Sequence, residues 1–171
     1  MKPALLWFRR NLRLLDNAAL IAAAESGKPV IPLYILDEQD VGGASQWWLH
    51  HSLEKLDQQL RKMGSGLMLL RGRPAAILKQ LCDETSADAI FYTRRYEPVS
   101  RRQEDDIENC LAEIVDIQSF DDGLLHGPTA VMTQAGTPFR VFTAFWKAAS
   151  NLGEPQQPLG MPTSFQPVPA T

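Results

Sequence analysis

Five short apolar runs, Ala4 to Phe8, Val30 to Leu36, Gly66 to Leu70, Ala87 to Tyr92 and Val115 to Phe120, alternate with four stretches of helical periodicity. No other feature constrains the fold as strongly. Strand-length runs joined by helices imply parallel pairing, because a parallel neighbour needs a crossover, and such crossovers are right-handed. The sequence predicts an α/β fold, a doubly wound five-stranded parallel sheet with helices on both faces. The first helix spans about Asn17 to Ser26, with Leu20, Ile21 and Ala24 on one face and Asp16 as its N-cap. The second, about Gln46 to Met63, carries Leu49, Leu53, Leu56, Leu60 and Met63 on one stripe. Ser45 is its expected cap and Gly64 its stop. The third starts at Pro74 with Ile77, Leu78, Leu81 and Cys82 inward; the fourth starts at Pro98 with Ile107, Cys110 and Leu111 inward.

After Phe120 the alternation ends. Val131 to Gly136 reads as a small hairpin and Val141 to Ser150 as a last helix. Residues 151–171 hold five of the twelve prolines and read as an extended linker. The expected organisation is an α/β domain over 1–130, a hairpin and helix over 131–150, and a proline-rich tail over 151–171. A net charge of −3 argues against strong nucleic-acid binding by this chain alone. Its two cysteines, Cys82 and Cys110, read as buried small hydrophobes in a reducing compartment. No segment has the length of a bilayer span or a secretory leader, so a cytoplasmic, non-membrane protein is expected.

Placed on the predicted sheet, the arginines gather. Arg9, Arg10 and Arg13 follow the first strand, Arg71 and Arg73 the third, Arg94 and Arg95 the fourth. A parallel sheet takes its ligands beyond the carboxyl ends of its strands, where helix amino termini add positive potential. The rim therefore predicts a site for an anionic ligand. The competing reading is that these arginines pair with Asp37, Glu38 and Glu97 on the same loops. Neither G-x-G-x-x-G nor G-x-x-x-x-G-K-[ST] occurs, which argues against a dinucleotide-dependent dehydrogenase or a P-loop enzyme.

The run WFRRNLRLLDNAAL, Trp7 to Leu20, resembles the amino-terminal signature of the DNA photolyase and cryptochrome family. GTPFRVFTAFWKA, Gly136 to Ala148, resembles a second family motif; RGRP (Arg71 to Pro74) and YEP (Tyr96 to Pro98) fall where the family has Gly-x-Pro and Tyr-Glu-Pro. The resemblance implies the amino-terminal α/β domain of such a protein, with the FAD-binding helical domain absent. The full-length parent would be a light-driven, FAD-dependent photo-lyase that splits pyrimidine dimers in damaged DNA; a cryptochrome-type blue-light receptor is the alternative. A nucleotide-binding α/β module is a distant third. This chain alone is expected to be inactive and to bind no FAD. It would carry a folate or deazaflavin antenna chromophore at the strand ends, or an empty cleft. Carried over residue by residue, the resemblance nominates Arg9, Arg10 and Asn11, then Leu36, Asp37 and Glu38, then Trp47, His50, His51 and Ser52, and finally Arg94, Arg95, Tyr96 and Glu97. Asn11 replaces the family's usual aspartate. Arg95 stands where deazaflavin binders carry an aspartate, and Val99-Ser100 where folate binders carry Asn-Glu.

The remaining motifs read as structural. The adjacent His50 and His51 are expected to divide between solvent and rim, with no metal held. Glu104, Asp105, Asp106 and Glu108 read as a solvated face, because consecutive carboxylates fan around a helix. Phe139, Phe142, Phe145 and Trp146 form an apolar stripe, either ordinary core or a surface for the missing domain.

Overall fold

The structure is a computed structural model and describes residues 1–37, 42–121, 123–127, 129–154 and 157–166. Strands β1 (Ala4–Phe8), β2 (Val30–Leu36), β3 (Met68–Arg71), β4 (Ala89–Thr93) and β5 (Asp116–Phe120) form one parallel sheet in the order β3-β2-β1-β4-β5. Helices α1 (Ala18–Glu25), α2 (Gly43–Lys62), α3 (Pro74–Thr85) and α4 (Pro98–Leu111) connect them. The order reverses between β1 and β4, and the register pairs Ala4 with Val30 on one side and Ala89 on the other.

Pleating sorts the core into two layers. Ala4, Leu6 and Phe8 of β1, with Ala89 and Phe91 of β4, pack under Leu20 and Ala23 of α1 and Leu56 and Leu60 of α2. Leu5, Trp7, Ile90 and Tyr92 point the other way, onto Leu78, Leu81 and Cys82 of α3 and Ile107 and Leu111 of α4. The central strands are apolar throughout because both faces are covered.

Several local expectations change. Asn17, not Asp16, caps α1: its Oδ1 accepts the Leu20 N–H at 3.1 Å. Asp16 has a left-handed backbone, φ 52°, a conformation aspartate tolerates, and its carboxylate instead accepts the Leu159 N–H at 3.0 Å. Helix α2 begins at Gly43, ahead of Ser45, and has no side-chain cap. Gly64 does stop it, at φ 89°. Gly72 adopts φ 139°, and a Cβ there would lie 3.2 Å from Ile77 Cδ1, which explains the glycine ahead of Pro74. Cys82 is buried but Cys110 is exposed. The inner face of α4 is Ser100, Glu104, Ile107 and Leu111, a helical spacing that leaves position 110 outside.

The chain divides into one unit of residues 1–122 and 159–171 and a second of residues 123–158. Within the first, the stretch after Leu159 packs closely. Phe165 is buried in the core, its N–H donates to Met63 O at 3.2 Å, and Gln166 bridges to Pro29. In the second, Thr133 N–H donates to Thr137 O at 2.9 Å, closing a tight turn without a strand ladder among the described residues. Helix α5 (Phe142–Ser150) buries only Ala149 and leaves Phe142 and Trp146 stacked at 6.2 Å, 72% and 60% exposed. That leaves the apolar face of α5 uncovered within its own unit.

Candidate functional site

The carboxyl ends of β1 and β2, the first half of α2 and the starts of α3 and α4 surround a cavity of about 430 Å³. Helix α2 is long enough to run beyond the sheet, so its second half packs on the core while Ser45, Trp48, Leu49 and Ser52 wall the cavity. Tyr34, Leu12 and Ile35 supply further apolar surface; Arg9, Arg10, Asp37, Arg95 and Gln103 supply the polar groups.

Arg9 stands at the switch point between β1 and β4, where a doubly wound sheet ordinarily binds its ligand. Here it is an internal strut. Its side chain is 3% exposed and pairs with Glu104; Nη1 also donates to Thr93 O at 3.3 Å, and Nη2 to Gln103 Oε1 at 3.4 Å. The guanidinium lies 4.5 Å from the Trp7 ring centre, a cation–π arrangement. Burial lowers its pKa, and the Glu104 carboxylate opposes that shift. Glu104 also accepts the Arg95 N–H at 2.9 Å. The expectation that residues 104–108 form a solvated face is therefore wrong at Glu104, which the helical period turns inward, and right at Asp105, Asp106 and Glu108.

Gln103 donates to Asp37 and ties the end of β2 to α4. Glu97 accepts from Arg95 Nη2 at 2.7 Å and from Arg10 Nη1 at 3.3 Å. The Arg95 hydrogen bond leads in holding its carboxyl at about 2, well below the usual carboxylate range. Burial raises the Tyr34 hydroxyl, and Arg95 and Arg10 pull it back down. Arg9, Arg10 and Arg95 are thus matched by Glu104, Glu97 and Asp37, so the cleft is close to neutral. Its chemistry suits a mostly aromatic molecule with one anionic group better than a polyanion.

Of the residues nominated from sequence, Arg9, Arg10, Asp37 and Arg95 meet here, with Ser52. Leu36 and His50 line an adjoining apolar groove of about 460 Å³ with Leu53, Leu69, Leu70 and Arg71. Tyr34 and Leu49 line both. Asn11 donates to Thr93 Oγ1 at 2.6 Å and braces the β1 loop. Trp47 and His51 lie a helical step away from the lining positions and meet edge to face, their ring centres 4.4 Å apart. Both histidines are exposed, but they divide as expected: His50 lines the groove at the sheet's rim and His51 does not. Arg94 and Tyr96 turn toward β5: Arg94 donates to Ser119 Oγ at 2.6 Å and Tyr96 to Asp121. Burial, then the Asp121 bond, pushes the Tyr96 hydroxyl up to about 12. Arg13 folds onto the Leu15 and Asp16 carbonyls. Glu38 lies outside the described residues. Sequence reasoning missed Trp48, Tyr34, Gln103 and Glu104. The 45-48-49-52 spacing on α2 held the signal for the first.

The family model for DNA photolyase matches residues 4–164. The chain belongs to the DNA photolyase family. A deoxyribodipyrimidine photo-lyase of Agrobacterium fabrum is 42% identical over 166 residues, covering 95% of this chain and 35% of its own length. Cryptochrome-1 of Arabidopsis thaliana is 35% identical over 91% of this chain and 24% of itself. A bacterial class III photolyase from Agrobacterium tumefaciens superposes with a TM-score of 0.94 at 40% identity, over 99% of this chain and 36% of that one. An archaeal photolyase from Sulfolobus tokodaii, solved with two FAD molecules and described as implying a novel light-harvesting cofactor, superposes with a TM-score of 0.80 at 26% identity, over 97% of this chain and 38% of its own. This photolyase-family chain thus spans about a third of the length of these photo-lyases, and it aligns with them as an α/β domain.

Proposed function

We propose that this chain is the antenna domain of a longer light-driven DNA-repair enzyme, a deoxyribodipyrimidine photo-lyase, and that the cleft above β1 and β2 holds the light-harvesting chromophore. The observation that carries the reading is the 430 Å³ cavity, which joins aromatic walls, Tyr34 and Trp48, to two accessible guanidinium groups, Arg10 and Arg95. That set fits a flat heteroaromatic ring bearing a phosphate or carboxylate, the common chemistry of folate, deazaflavin and flavin antennas. The bound chromophore would absorb light and pass its excitation to a flavin held elsewhere in the parent. Trp48 and Leu49 would pack on the ring, Arg10 and Arg95 would orient the anionic group, and Gln103 would fix the cleft width through Asp37. No catalytic residue is assigned to this chain.

Titrating the purified chain with 5,10-methenyltetrahydrofolate, a deazaflavin and FMN tests the reading. We expect saturable binding by one of them that Trp48→Ala and Arg95→Gln each weaken about tenfold; absence of binding by all three refutes it. A cryptochrome-type parent is the second reading, favoured by the 35% and 33% identity to two plant cryptochromes. Dimer repair by the full-length protein separates the two. Helix α5 would meet the remainder of that protein, because Phe142 and Trp146 offer apolar area without a covering element in their own unit.

A further inference from the structure

We propose that Glu97 sets the anion affinity of the cleft by competing for Arg10 and Arg95, and that a bound chromophore's phosphate or carboxylate takes its place. The inference rests on the chromophore reading and adds a specificity-determining residue to it. Arg10 and Arg95 both line the cavity, whereas Glu97 does not; its carboxylate holds the two guanidinium groups from the rim at 3.3 and 2.7 Å.

The three arginines of the cleft differ in what holds them. Arg9 is locked, since its partner Glu104 is itself 10% exposed and releasing either charge would strand the other away from water. Glu97 is 50% exposed, so its carboxylate can leave the two guanidinium groups and be rehydrated at little cost. A second feature gives the displaced carboxylate somewhere to go. Glu97 is the N-cap residue of α4, with the extended backbone of a cap (φ −69°, ψ 144°), yet its side chain makes no capping hydrogen bond. A carboxylate there ordinarily accepts from the N–H groups of the first turn and complements the helix dipole. Ligand entry would transfer Glu97 from the arginines to its own helix, and ligand loss would return it. A ligand carboxylate exchanges one negative charge for another, whereas a phosphate, at about −1.5 to −2, brings more charge than Glu97 gives up.

Two probe pairs test this. FMN and riboflavin share a ring and differ by the phosphate; folic acid and pterin differ by the carboxylate-bearing tail, so the arms separate the two anion sources. We expect Glu97→Gln and Glu97→Ala each to bind FMN, folic acid or both about three- to tenfold tighter than the unmodified chain, with riboflavin and pterin unchanged. Using both variants separates loss of charge from altered packing. Unchanged or weaker binding of the anionic probes, or an equal gain for the neutral ones, overturns the proposal while leaving the chromophore site standing. Failure of the unmodified chain and both variants to bind any of these probes overturns the competition for flavin and folate anions; failure with a deazaflavin as well refutes the site itself.

Discussion

Replacing Glu104 tests how far the buried ion pair organises the site. Its partner Arg9 has a side chain 3% exposed, and Glu104 is 10% exposed. Glu104→Leu removes the carboxylate paired with that guanidinium and the acceptor of the Arg95 N–H. Leaving an uncompensated buried charge costs about 3–5 kcal/mol. Against a total stability of about 5–15 kcal/mol the variant stays folded near room temperature only if the parent lies above the low end. For a chain of this length the loss corresponds to a melting temperature lower by about 6–20 °C. Glu104→Gln keeps an acceptor oxygen and should cost less, about 2 kcal/mol. The double variant Arg9→Met with Glu104→Leu substitutes apolar bulk for both charges and should fall within about 1.5 kcal/mol of the starting protein. Urea unfolding followed by circular dichroism reads all three, and the coupling energy between the two sites should exceed about 2 kcal/mol. A loss below about 1 kcal/mol for Glu104→Leu, or a double variant as unstable as the sum of its parts, would refute the reasoning.

Phe165→Ala should destabilise the chain by about 3–5 kcal/mol in the same assay, because the ring fills the α1/α2 layer of the core; no change would show that the returning segment contributes nothing. Glu97 has a folded pKa of about 2, below its usual 4.5, so its contribution is full above pH 4.5 and is lost as pH falls toward 2. Its exposure limits that contribution to under about 1 kcal/mol, and the stability difference between the native chain and Glu97→Gln should shrink over that window; a difference constant with pH contradicts the pairing. If α5 docks the rest of the proposed longer protein, Phe142→Ser with Trp146→Ser should lower both the stickiness of this chain in concentration-dependent light scattering and its binding to that part. Equal association by native and variant chains would count against α5 as a docking face.

The sequence alone carried the architecture. Ala4–Phe8 and Val30–Leu36 were legible to the residue, and Pro74 and Pro98 marked two helix starts, because strand periodicity, crossover handedness and proline's fixed φ act over a few neighbouring positions. Family membership was equally legible in motifs that are contiguous in the chain. The site was legible only as a region. Arg9 reads as a ligand-binding cation until the fold brings Glu104 against it from 95 residues away, and Trp47 reads as well as Trp48 until the axial rotation of α2 selects one. Burial and charge neutralisation depend on which distant groups share a volume, and local pattern carries no record of that. Tertiary structure therefore decided which arginine braces the sheet from within, which pair with Glu97 at the exposed rim, and how the proline-rich segment returns to place Phe165 in the core.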